Sequence, residues 1–248
     1  MKINSKLIIL FVLILTLATT ACGIVPFAPR LVRGDGNVVE ENRAVDNFDQ
    51  IDFRGIGNLF VEIGDEASLT VEMEENLLQY LETYNQGDRL VIEIEDGINI
   101  NPTEPVTFYL TVPSLQRVDV SGLGNVELPV IEAERFTVDI SGAGDVEIEG
   151  IYADSLRISM SGLGNFRIDE GEVFSQDVEI SGSGQYEARD LESSEANIEI
   201  SGLGSATVKV SDYLDVSISG AGGVDYYGDP EIDKSISGLG DLDHLGSD

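Results

Sequence analysis

Three side chains of this 248-residue sequence stand where they could do chemistry on a sugar polymer: Asp145, Glu147 and Arg167. A carboxylate pair beside an arginine is the equipment of polysaccharide lyases and hydrolases, in which acids move protons and a cation stabilises developing negative charge. Arg167 follows Glu147 by one repeat and precedes Glu187 by one repeat, and an arginine between two glutamates also answers a simple need for charge relief. No other carboxylate cluster stands apart from its neighbours. The weight therefore falls on a non-enzyme, with a polysaccharide-active lyase or hydrolase as the alternative reading.

Other chemistries have fewer residues to draw on. The chain has one histidine, His244, and one cysteine, Cys22, so histidine-based triads, Cys/His zinc sites and disulfide frameworks are nearly excluded. Gly142-Ala143-Gly144-Asp145 is similar to the dinucleotide fingerprint and to the calcium nonapeptide. The first needs a helix after the turn and finds strand alternation; the second needs a copy every nine residues. A turn with glycines at positive φ, finished by a polar residue, accounts for the motif. With 46 acids against 14 bases, net −32, no basic patch exists for phosphate backbones, so no nucleic acid is expected as a partner.

Residues 1 to 21 carry Lys2 and Lys6, no acid, and an apolar run from Leu7 to Leu15 that continues to Ala21. That is the pattern of a secretory signal peptide, too short for a permanent membrane span. Thr19-Thr20-Ala21-Cys22-Gly23 resembles the bacterial lipobox, with Thr19 where leucine is usual. The resemblance implies cleavage before Cys22 and acylation of its thiol, and hence a membrane partner through a lipid anchor on the extracytoplasmic side; the alternative is ordinary cleavage at Ala21 that leaves Cys22 a free thiol. Residues 22 to 45, with two prolines and three glycines and no sustained period, read as the lipidated tether.

The elements that must position any site come from a repeat. Ser-Gly-x-Gly recurs at Ser121, Ser141, Ser161, Ser181, Ser201, Ser219 and Ser237, at spacings of 20, 20, 20, 20, 18 and 18, with a looser copy at Arg54-Gly55-Ile56-Gly57-Asn58. Before each serine position −1 holds Val, Ile or Met, and before the first six position −3 does too, as in Val118 and Val120 or Val138 and Ile140. After the turn the alternation resumes, with Val126, Val146, Phe166, Tyr186, Ala206 and Val224 on one face. Period-two alternation on both sides of a glycine turn means strand, turn, strand, return. A 20-residue unit cannot bury its own apolar face, whereas stacking such units buries a continuous column. The expected fold is all-β: a right-handed parallel β-solenoid with ~20-residue coils. A β-sandwich is the competing fold.

The middle turn residues, Leu123, Ala143, Leu163, Ser183, Leu203, Ala221 and Leu239, alternate large and small, as a stacked column requires to avoid overpacking. Two residues before the serines, Asp119 and Asp139, and then Glu179 and Glu199, would stand as like-charged neighbours, which weak Ca²⁺ binding would relieve. Residues 46 to 115 do not follow the repeat. Leu69 to Met73, Arg89 to Ile94 and Val106 to Val112 read as strands, Gln86-Gly87-Asp88 as a hairpin, and the region as an irregular cap on the first coil of the 116–232 repeats. Lys234 breaks the apolar column, so residues 233–248 are expected to form a frayed last coil and acidic tail.

Phe48-Asp49-Gln50-Ile51, Glu75-Asn76-Leu77-Leu78, Gly97-Ile98-Asn99 with Asn101-Pro102, the strand Thr107 to Pro113 and the repeated Ser-Gly-x-Gly-Asn/Asp carry a resemblance over roughly Val45 to Asp229. The sequence resembles the head GIN domain of bacterial auto-transporter adhesins. The resemblance implies an extracellular β-helix-like domain without an assigned activity. Nothing after Ser219 has the alternating strands of a translocator barrel, so lipid anchoring takes the place of self-transport. The reading is a non-catalytic cell-envelope lipoprotein, on the cell or outer membrane, with no cofactor. It binds a glycan or an envelope protein, or serves as an envelope scaffold or sensor accessory. Tyr213, Tyr226 and Tyr227 are the candidate ligand surface, and exposed coplanar rings there would favour a glycan.

Overall fold

The computed structural model describes residues 29–247; the expected signal peptide and Cys22, the expected lipidation position, lie outside the described residues. Arg117–Val120, Val126–Ile140 and Val146–Met160 pair in parallel, and the register is one repeat throughout: Val118 opposite Val138, Val126 opposite Val146, Ile131 opposite Ile151. The pairing continues through Phe166–Ile168, Gly171–Ile180, Gln185–Ile200 and Ser205–Ile218. This is the β-solenoid, with alternate side chains inward. Val118, Val138, Ile158, Val178, Ile198 and Val216 form one buried column, and Val126, Val146, Phe166, Tyr186, Ala206 and Val224 another.

The turn glycines have a different cause from the one expected. Among the Gly-x-Gly turns, Gly57 and Gly124 have positive φ and the later copies do not. What those copies require is close approach. A Cβ on Gly142 would overlap the carbonyl oxygen of Gly122, and one on Gly162 the carbonyl of Gly142. Across the same contact Ala143 N donates to Gly122 O (3.2 Å) and Leu163 N to Gly142 O (3.0 Å). Backbone stacked directly on backbone leaves no room for a side chain.

The change from 20 to 18 residues falls on the return side of the coil. Residues 189 to 191 have no partner in the following coil, and one residue fewer lies between Ser193 and Glu195 than between their partners Val210 and Tyr213. The core beside this shift is polar: buried Tyr186 donates to Gln176 Oε1 (2.9 Å), Gln176 Nε2 to Ser193 Oγ (2.7 Å), and Ser193 Oγ to Lys209 O (2.8 Å). Burial pushes the Tyr186 phenol far above its ordinary pKa, so it remains a donor.

The N-terminal part departs from sequence order. Gln50–Phe53 and Asn58–Ile63, joined by the looser Gly-Ile-Gly turn, form a coil on which Arg117–Val120 and the start of Val126–Ile140 stack. On its other side lie Arg89–Ile94 and Thr107–Val112, also parallel. Thus the region read as non-repeating supplies two coils, and the later one in sequence is the outer one. Beyond it the pairing turns antiparallel: Leu81–Gln86 on Arg89–Ile94, Ser68–Glu74 on Thr107–Val112, and Val38–Arg43 on Ser68–Glu74.

Two boundaries are corrected. The tether was expected to reach residue 45, yet Arg30–Arg33 pairs with Ile98–Asn101 and Val38–Arg43 joins the cap. Both tether prolines precede Arg30, so every residue from there to 45 has a backbone N–H that can pair. Gly34 and Gly36 make the connecting turn, which Glu74 holds from below. This buried carboxylate accepts from Gly36 N (2.6 Å), Thr103 N (2.8 Å) and Thr103 Oγ1 (2.5 Å). Burial would raise its pKa, but these donors outweigh it and hold the group below its ordinary value. The last coil does not fray either. Glu231–Ile236 pairs with Tyr213–Ile218, placing Lys234 opposite Val216, and Asp241–Gly246 pairs with Gly223–Tyr227. Ladder hydrogen bonds do not depend on the side chain, and a lysine stem can cover apolar surface while its ammonium reaches water.

Candidate functional site

The outward residues of the strand after each turn form a straight row, because parallel register puts equivalent positions about 4.8 Å apart. From the capped end it reads Tyr109, Phe60, Glu127, Glu147, Arg167, Glu187, Thr207 and Asp225. Phe60 and Tyr109 stack with ring centroids 5.7 Å apart and planes at 19°, and Tyr109 is 46% exposed. A groove of about 390 Å³ starts at Phe60, with Glu62, Glu127, Glu147 and Pro129 among its walls. Sequence reading missed this pair. Its members belong to different segments, and only the inverted order of the first two coils makes them neighbours; the alternation in Asn58–Ile63 and Thr107–Val112 marks each as outward without marking them as adjacent.

Of the three residues read as sugar-cleaving, Glu147 and Arg167 lie farther along the same row and Asp145 in the turn before it; the three line one small groove of about 240 Å³ with Gln185 and Glu187, and each has a partner of its own. Arg167 turns to Asp169 (Nε to Oδ1, 2.6 Å) and stands 4.0 Å from Glu147; both Arg167 and Glu147 are more than half exposed. The arginine pKa is raised, chiefly by its hydrogen bond to Asp169. Asp145 is engaged by the turn of the next coil, accepting from Asn165 N (2.8 Å) and Asn165 Nδ2 (3.0 Å). The arrangement is what charge relief on a ladder produces.

The other carboxylate ladder is relieved by arginine. Asp52, Asp119 and Asp139 stand in register. Arg54 pairs with Asp52 (2.6 Å), Arg89 with Asp119 (3.3 Å), and Arg117 bridges Asp119 (2.8 Å) and Asp139. Partial burial raises the Asp139 pKa, Arg117 opposes that, and neighbouring Asp119 adds to it. Glu179 and Glu199 stand opposite each other in register. Among the described residues no group of three or more His, Cys, Asp or Glu side chains is placed to hold a metal, so the Ca²⁺ expectation gains no site.

The three tyrosines do not make one surface. Tyr226 lies in line with inward Val208 and stacks on His244 at 4.8 Å, closing the core at the last coil. Tyr227, its chain neighbour, faces the opposite way, with the Arg189 guanidinium 5.0 Å from its ring centre. Tyr213 sits on the return strand, opposite Glu195 and Glu231. The alternating turn residues do form the expected column, and Leu123, Leu163 and Leu203 are more than half exposed along it. Among the described residues, no helix is long and apolar enough to cross a membrane.

Solved structures share this architecture. A putative adhesin from Bacteroides fragilis superposes with a TM-score of 0.82 at 20% identity, covering 86% of this chain and all of that one. A putative adhesin from Parabacteroides merdae gives 0.70 at 20% identity, covering 87% and 99%. A protein from Parabacteroides distasonis described as a putative lipid binding protein gives 0.68 at 24% identity, covering 87% and 100%. At such identities the likeness is one of fold. No curated protein matches the chain in sequence. The family model described as "putative auto-transporter adhesin, head GIN domain" matches residues 47–230, which take in both inverted coils and the turns from Ser121 to Ser219, and the chain belongs to that family.

Proposed function

We propose that the chain is an extracytoplasmic, non-catalytic binding module, tethered to the membrane through a lipid on Cys22, and that it holds an extended, hydroxyl-rich glycan along the row that begins at Tyr109 and Phe60. The observation that carries this reading is the stacked ring pair, exposed Tyr109 on half-buried Phe60, leading directly into Glu127 and Glu147. Aromatic faces cover the apolar faces of a sugar ring, and ionised carboxylates accept hydrogen bonds from its hydroxyls. A regular rod suits a repetitive ligand, since each coil offers a similar outward position about 4.8 Å from the last. Membership of an adhesin family supports an extracytoplasmic setting.

The test is a glycan array probed with the exported chain from residue 23 onward. Substituting Tyr109→Ala and Phe60→Ala together is expected to lower affinity for any captured glycan by at least about tenfold, as loss of about 1.4 kcal/mol of contact would do. Undiminished capture by the double variant would remove the site. The tether is tested separately: metabolic labelling with a fatty-acid analogue should mark the native chain and not Cys22→Ala.

A further inference from the structure

The turn column carries a property that glycan binding leaves unexplained. It is apolar, exposed and nearly free of charge on a chain whose other surfaces are dense in acid. The seven Ser-Gly-x-Gly turns with their following residue contain Asp145 and Asp241 as their only charged side chains. Along the column Leu123 (53% exposed), Leu163 (65%), Leu203 (69%) and Leu239 (90%) project at every second coil, about 9.6 Å apart, with Ala143, Ser183 and Ala221 between them. A shallow groove of about 530 Å³ follows these gaps.

From this alternation we infer that the column docks against the same column of a second copy, running antiparallel about a two-fold axis between Leu163 and Ser183. Under that rotation Leu163 meets the partner's Ser183, Leu123 the partner's Ala221, and Leu203 the partner's Ala143. Each of these three leucines faces a gap on both sides at once, while Leu239 reaches the partner's Ile56, which lies partly buried in the looser first turn. A parallel arrangement offset by one coil would also alternate, but it is heterologous and does not close. The lack of charge gives like-charged rods one side on which they can approach. The area fits a weak dimer: a strip of about 30 Å by 12 Å buries roughly 700 Å² over both partners, below the ~1,200 Å² of stable complexes. Because the apolar contact works against repulsion between acidic rods, added salt strengthens it, the reverse of an ion-paired interface.

Sedimentation of the exported chain should show a reversible, concentration-dependent rise from monomer to dimer in the range from about 10 µM to 1 mM, shifted to lower concentration in 0.5 M salt. Leu163→Ser with Leu203→Ser should weaken association at least about tenfold. Ser183→Leu discriminates. If knobs fill gaps, the added leucine collides with the partner's Leu163 and association falls; if the strip is merely sticky, association rises. Circular dichroism checks that these exposed substitutions leave the fold intact. A monomer at every concentration, stronger association of Ser183→Leu, or co-sedimentation with phosphatidylcholine vesicles in the absence of a dimer would each overturn the proposal.

Discussion

The two ends of the solenoid solve the same problem differently. A stack of parallel coils leaves, at each end, a core face and a row of unpaired backbone groups. At the N-terminal end the outer coil, Arg89–Ile94 with Thr107–Val112, is followed by antiparallel strands. Phe53, Leu77, Phe108 and Leu90 are fully buried beneath them, and Phe53 packs edge-on to Phe108 at 5.3 Å. At the C-terminal end Glu231–Ile236 and Asp241–Gly246 continue the ladder with nothing described beyond them. Their inward positions hold Ile232, Lys234, Ile236 and Leu242, and their outward ones Asp233, Asp241 and Asp243. There Asp225 has its pKa raised by partial burial and by Asp243 and Asp241. One end is covered by structure; the other is kept from pairing by charge. The difference teaches that backbone register alone can hold a terminal coil in place, while burial decides how firmly.

The largest contrast should come from truncating equivalent core positions. Phe53→Ala at the covered end is expected to destabilise the chain by about 3–5 kcal/mol. Ile236→Ala, at a residue already 37% exposed, should cost under about 1 kcal/mol. Urea unfolding of the two variants measures both. Similar losses would mean that the last coil is as well covered as the first.

A smaller effect sits in the cap turn. Glu74 has a pKa below its unfolded value of 4.5, so the stability it adds is present above that pH and is lost as pH falls through the folded pKa. Glu74→Gln should lower stability by about 2 kcal/mol at pH 7, where the carboxylate accepts its three bonds, and by much less at pH 3. Unfolding midpoints for both chains at the two pH values would show the gap closing; a gap independent of pH would show that the charge is not what holds the turn. The smallest change is expected at the open end, where Lys234→Val restores the apolar column and should add about 0.5 kcal/mol. A loss there would mean that the lysine stem already covers the core better than valine.

How far the sequence could be read follows the same division. The repeats were legible because stacking makes each coil meet a copy of itself, so Val118, Val138 and Ile158 had to alternate with outward residues in one register. The glycine turns were legible as turns, but their physical need was misread, because a carbonyl one coil away leaves no mark within a single repeat. The cap was legible only strand by strand. Nothing local in Thr107–Val112 says that it lies outside Asn58–Ile63 or accepts an antiparallel partner, and the Phe60–Tyr109 pair was invisible for that reason. The tyrosine surface failed for a simpler one: Tyr226 and Tyr227 are neighbours in a strand, and the alternation that defined the inward columns already sent them to opposite faces.

Hydrogen exchange resolved along the chain tests the central claim most directly, that coverage of one end and exposure of the other set the stability of the rod. The account predicts slowest exchange for the amides of Thr107–Val112 and Gln50–Phe53, and fastest exchange within the ladder for Glu231–Ile236 and Asp241–Gly246, which can open without disturbing the rest. Equal protection at the two ends, or a C-terminal coil that exchanges only with global unfolding, would contradict it.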